Sequence, residues 1–467
     1  MADGALVERL RQYLRDLSPE ARTLLMTEIE RGLLRGADMP GAELVLQELR
    51  RDARDNTRPK RPGNLARLFF QPLEPLLVDD SATHNHPGRI SRVVLDPVWD
   101  WICRDLMPGE AKAVTEQVAR AFEEGDADKA EELANAFQER AALRMDEVLS
   151  AARSDDKVRR RLSGQIGTPR AVQDATAILT IIKARQTLAA FGAQLPNHIK
   201  SLDDHNVNAV KAMIESPVAG GPTLFVFVLV MTMSRMAAPW QLVRLASRAA
   251  GSDNASRIAE TPYAVTVDIV LAEIQRLIAE LKAELRSGRG LAVGALLKSI
   301  HDSARGLRAE INFSHESPWA RGLAALRTLV SDLLKGEIET LPGRVRRLLR
   351  ARPIKEIAPN SALDENDVRE TEAQIEFVNT CRAYAGELAL SELTTRTWTD
   401  LEHYLDPATA ALVENLRVAG DSDRPFRQSQ LDAAVRFCRK VFGEDYAALM
   451  LKARDVAAAA ERKAAKG

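Results

Sequence analysis

Apolar positions recur every three or four residues along most of the chain, a helical period and not the alternation of a half-buried strand. The clearest stripe is Val267, Val270, Leu271, Ile274, Leu277, Ile278, Leu281 and Leu285, which continues over about five helical turns. Ser18-Pro19, Asp96-Pro97, Thr168-Pro169, Thr261-Pro262, Ser317-Pro318 and Asp406-Pro407 read as helix starts. In each pair an oxygen can cap free N–H groups, and proline follows where its missing N–H costs nothing.

The pattern predicts three short helices over residues 5–55, with Leu24, Leu25, Ile29 and Leu33 as one inward stripe, and a proline-interrupted apolar segment at 65–77. A helix holding Trp99 and Trp101 follows, and then a long charged helix near 126–150 with Ala134, Phe137, Ala141, Leu143 and Val148 facing inward. Further helices are expected after Thr168, within 195–216, and over 262–286, 291–313, 318–335, 367–390, 397–417, 425–441 and 444–463. Arg89–Leu95 is the one alternating stretch noted, and a single strand cannot form a stable sheet. The expected fold is all-α: a multi-helix body, compatible with irregular helical repeats, carrying a smaller C-terminal helical bundle. The divisions read from composition are 1–63, 64–350, a Pro-containing linker at 351–363, and 364–467.

Val218–Met233 is uncharged and strongly apolar. As helix, Pro222–Met233 reaches only about 18 Å, short of a hydrocarbon core of about 30 Å, so a central core helix is expected.

Composition narrows the functional classes. The chain has 467 residues, 65 Lys and Arg against 66 Asp and Glu, and 45% hydrophobic residues. That balance describes a folded protein and excludes a globally basic nucleic-acid binder. Cys103, Cys381 and Cys438 are few and widely spaced, which suits a reducing compartment. The first residues show no basic segment leading into an apolar run. A cytoplasmic protein is therefore expected.

Candidate chemistry is sparse. Asp80, His84 and His86 in the polar stretch 79–89 could supply two imidazoles and a carboxylate to a divalent metal, although His-x-His without an identified further ligand is a weak signal. Asp-flanked His205 and His301, together with His403, show no nucleophile at matching spacing. Phosphate loops, nucleophile elbows and kinase signatures are absent, and no cofactor is expected. The aromatic positions Phe69, Phe70, Trp99, Trp101, Phe225 and Phe227 fit core packing better than a binding platform.

Two basic stretches stand out. Arg50, Arg51, Arg54, Arg58, Lys60 and Arg61 are offset by Asp52 and Asp55. Arg344, Arg346, Arg347, Arg350, Arg352 and Lys355 lie in a run without an acidic residue from Leu341 to Lys355. If that run is helical, Val345, Leu348 and Leu349 form its apolar side. Acidic residues gather at Glu123–Glu132 and at Asp364, Glu365, Asp367, Glu370 and Glu372, each expected to open an exposed helix. These features point to a non-catalytic scaffold or adaptor that uses Arg344–Lys355 toward a protein partner or in a homo-oligomer. An acidic membrane surface is the next alternative for the same residues, and nucleic acid is disfavoured. An enzyme or small-molecule or metal-binding protein using the 79–89 loop remains open.

Overall fold

The computed structural model describes residues 64–79, 86–167, 170–287, 293–314, 316–359 and 361–464, with scattered positions between 14 and 49. The fold is all-α with extensive helix–helix packing, in keeping with irregular repeats. It divides into two compact units. The first contains the described residues up to Glu280 together with Asp302–Leu323, and the second Leu281–His301 together with the chain from Ala324 onward.

In the first unit α1 (Leu65–Phe70) is capped by Asn64, whose Oδ1 accepts the Arg67 N–H at 2.8 Å. Pro72 and Pro75 then tighten the chain into a 3-10 turn over Gln71–Leu76, as expected where ring nitrogens cannot donate. A two-residue parallel pair, β1 (Leu77–Val78) with β2 (Ile90–Ser91), follows. Only these two residues of the expected strand are extended, because Arg92–Val94 turns directly into α2 (Leu95–Trp101).

Helix α3 (Pro108–Glu123) leads to α4 (Ala127–Ser154), around which α1, α3, α5 (Asp156–Ile166) and α6 (Ala171–Lys183) pack. Ala130, Ala134, Phe137, Ala141, Met145 and Leu149 make the buried seam of α4. Leu143, expected inside, is 65% exposed. It stands two residues from Ala141 and from Met145, so the helical turn of about 100° per residue carries it to the opposite face. Leu24, from the expected N-terminal stripe, is likewise 65% exposed, while Ile29 is buried. Phe69, Phe70, Trp99 and Phe137 form an aromatic cluster with centroids 5.0–6.1 Å apart. Buried Gln138 donates to the Phe69 carbonyl at 2.8 Å, satisfying a helix end that the cluster seals from water.

Helices α7 (Arg185–Gln194) and α8 (Val207–Glu215) precede the apolar α9 (Phe225–Ser234), whose Val228, Leu229 and Val230 are fully buried. No described helix is long and apolar enough to cross a membrane. Helices α10 (Arg244–Ala250) and α11 (Ala255–Ala259) are short. The long α12 (Val265–Ser287), α13 (Val293–Glu310) and α14 (Pro318–Leu349) each contribute residues to both units.

Helix α14 runs well past its expected end at 335, through Pro342. A proline inside a helix costs about 3 kcal/mol. Ile338, Leu341 and Val345 are fully buried on either side of it. Each contributes roughly 1.5–3 kcal/mol through burial, so the continuous stripe prevails.

The second unit includes a bundle of α15 (Glu365–Ala383), α16 (Ser391–Arg417), α17 (Arg424–Phe442) and α18 (Glu444–Ala464). Asp406-Pro407, read as a helix start, lies inside α16. Leu401, Leu405 and Leu412 keep the period unbroken across it. The Asp406 carboxylate instead accepts the Tyr446 hydroxyl of α18 at 2.5 Å.

Candidate functional site

The basic end of α14 follows from its apolar side. Val345, Leu348 and Leu349 are buried, so the helical period leaves Arg344, Arg346, Arg347 and Arg350 on the outer arc, all exposed. Pro353 then starts a 3-10 turn, Ile354–Glu356, which holds Lys355 outward and leaves Ile354 63% exposed.

This segment is fixed from behind by α17. Gln430, fully buried, donates through Nε2 to the carbonyls of Leu348 and Arg350, both at 2.8 Å. Arg427 forms a buried pair with Asp423 at 2.6 Å and also donates to the Arg352 carbonyl at 3.4 Å. Burial opposes ionisation of Asp423, but the hydrogen bond and charge of Arg427 outweigh it and hold the carboxyl below its ordinary range. Farther along, the Leu363 N–H reaches Ser429 Oγ at 3.0 Å. Residues 351–363 are therefore tied to α17 at both ends.

The front is partly answered by the chain's own acids. Arg344 faces Glu370 at 3.6 Å, Arg347 faces Asp367 at 3.7 Å, and Arg350 faces Glu356 at 3.2 Å. The acidic start of α15 thus lies across the basic end of α14, so the two charged stretches, expected as separate surfaces, face each other. Arg346 instead stacks 5.5 Å from the Tyr404 ring centroid, and Arg352 stacks 5.1 Å from that of Phe426. Arg346 and Lys355 have no carboxylate partner among the described residues.

Replacing Gln430 with Leu is expected to strand two helix-end carbonyls and lower stability by about 2 kcal/mol. Urea unfolding monitored by circular dichroism measures that loss. A change under about 0.5 kcal/mol would show that water satisfies those carbonyls equally well.

The other candidates fall in different places. Asp80, His84 and the basic cluster Arg50–Arg61 lie outside the described residues. His86 is buried, and the adjoining Gly88 has a positive φ of 71° against the Val226 backbone. Beside it runs an ionic chain centred on buried Glu273: Arg89 to Glu273 at 3.1 Å, Glu273 to Arg276 at 2.8 Å, and partly exposed Arg276 to Glu280 at 2.8 Å. Desolvation of Glu273 favours its neutral form, yet Arg276 and Arg89, helped by His86, overcome this and hold the carboxyl below its ordinary range. Among the described residues no cluster of three His, Cys, Asp or Glu could hold a metal ion.

His205 is exposed beside Asp203, which caps the turn through the His205 and Asn206 N–H groups at 3.0 and 3.2 Å. The His301 ring packs 5.3 Å from that of Tyr384. One local signal of the ionic chain is present in the chain itself: charged Glu273 occupies the apolar face between Val270 and Leu277.

No protein-family model, curated protein or solved structure matches this chain.

Proposed function

We propose that this chain is a non-catalytic interaction protein, a scaffold or adaptor whose second unit offers Arg344, Arg346, Arg347, Arg350, Arg352 and Lys355 to an acidic surface of a protein partner. The reading carries with it a cytoplasmic setting and assembly as a homo-oligomer or within a multiprotein complex. Its main support is the turn at Ile354, where a side chain 63% exposed sits among cations backed by a buried hydrogen-bonded anchor. An apolar centre with an arginine-rich rim is the usual composition of an interface. The exposed ion pairs of Arg344, Arg347 and Arg350 each contribute at most about 1 kcal/mol, so a partner's carboxylates can replace the internal ones at small cost.

Arg346→Glu with Lys355→Glu removes two of these cations without breaking a described salt bridge. Once affinity purification has identified a partner, this double variant is expected to weaken the complex at least about tenfold. The circular dichroism spectrum should be unchanged, and wild-type binding should weaken with added salt. Unaltered affinity in the variant would remove this surface from consideration.

A further inference from the structure

A groove of about 380 Å³ opens in the first unit, with Asp203, Asp204, Arg244, Ser247, Arg248 and Glu310 among its lining residues. Its walls are tied together. Arg244 donates through Nε to Glu310 at 2.7 Å and through Nη1 to the Leu202 carbonyl at 2.8 Å. The Leu202 N–H reaches Gln241 Oε1 at 2.7 Å. The Trp240 ring lies directly over Gly306, one helical turn before Glu310 on α13. A concave site of this size, already held in shape, lies within the usual range for small ligands, about 300–1,000 Å³.

The donors and acceptors left over define what it would accept. Arg244 and Arg248 are one turn apart on α10 and so share a face. Nη2 of Arg244 has no partner among the described residues, and Arg248 donates only through Nε, to Asn208 at 2.8 Å. Both guanidinium groups thus retain terminal N–H donors suited to a carboxylate. Of the acids, Glu310 is committed to Arg244. Asp203 is committed to the His205 and Asn206 N–H groups and the Ser201 hydroxyl. Asp204 is exposed and has no partner among the described residues. A simple anion would meet these acids, and a simple cation would meet the two arginines. A dipolar molecule satisfies both.

We propose that this groove binds a small amino carboxylate, its carboxylate held by Arg244 and Arg248 and its ammonium by Asp204. The groove lies wholly within the first unit and shares no residue with the basic turn, so the two readings stand or fall separately.

The test is calorimetric titration of the full chain with glycine, β-alanine, 4-aminobutyrate and 6-aminohexanoate, a series of increasing charge separation, alongside acetate and methylamine. At least one member of the series is expected to bind saturably, with acetate and methylamine at least about tenfold weaker. Arg248→Ala and Asp204→Asn, both at accessible positions, should each reduce that binding about tenfold with an unchanged circular dichroism spectrum. The proposal is overturned if no member of the series binds, if acetate or methylamine alone binds as well, or if either variant retains full affinity.

Discussion

Glu273→Gln is expected to lower the unfolding free energy by about 3 kcal/mol, because it leaves the largely buried Arg89 without its carboxylate and Arg276 with Glu280 alone. Glu273 is only 7% exposed and contacts both arginines. The half-exposed end of the same chain provides the contrast: Glu280→Gln should cost under about 1 kcal/mol. Equilibrium urea unfolding of the two variants separates these expectations, and equal losses would show that burial does not govern the chain.

The same carboxylate sets a pH dependence. Its folded value lies below the ordinary 4.5. Its contribution is therefore complete above that ordinary value and is lost as pH falls through the lower, folded value. Wild-type stability should decline in that acidic window, and Glu273→Gln should flatten this part of the decline.

Gly306→Val is expected to cost about 3 kcal/mol by overpacking. A Cβ at this position would lie 2.2 Å from Trp240 Cδ2. The clash is with the middle of a ring, so the whole indole must leave its seat on α13. Tryptophan emission should shift to longer wavelength as the ring becomes wetter, together with a lower urea midpoint. A variant with unchanged emission and midpoint would show that the ring relocates freely. Trp240→Ala combined with Gly306→Val should recover much of the loss attributed to the clash, as expected for a coupled pair.

Most of the helical architecture is legible in the chain because its information is local. The stripe from Val267 to Leu285 marks α12 without any tertiary knowledge, and the helices after residue 364 follow from the same spacing. The errors come where two local rules compete. Asp406-Pro407 has the chemistry of a helix start, but Leu401, Leu405 and Leu412 carry one buried face through it. Pro342 is overridden by its buried neighbours in the same way. The hydrophobicity of Leu143 suggests an inward position, but its angular position opposes Ala141 and Met145.

The candidate sites were less legible because their partners are distant in sequence. Arg344 and Arg347 show as a basic run, yet nothing near them announces Glu370 and Asp367. Arg89 and Glu273 are separated by 184 positions. Arg244 and Arg248 show helical spacing but not the concavity they share with Asp204.

The interleaving of the two units carries a consequence for truncation and for synthesis. The chain enters the second unit at Leu281, returns to the first for Asp302–Leu323, and re-enters the second at Ala324. No single cut yields two intact halves. A C-terminal fragment beginning at residue 364 would forfeit Val345, Leu348 and the backbone carbonyls that Gln430 holds. On the ribosome, neither half can be completed before the other has begun.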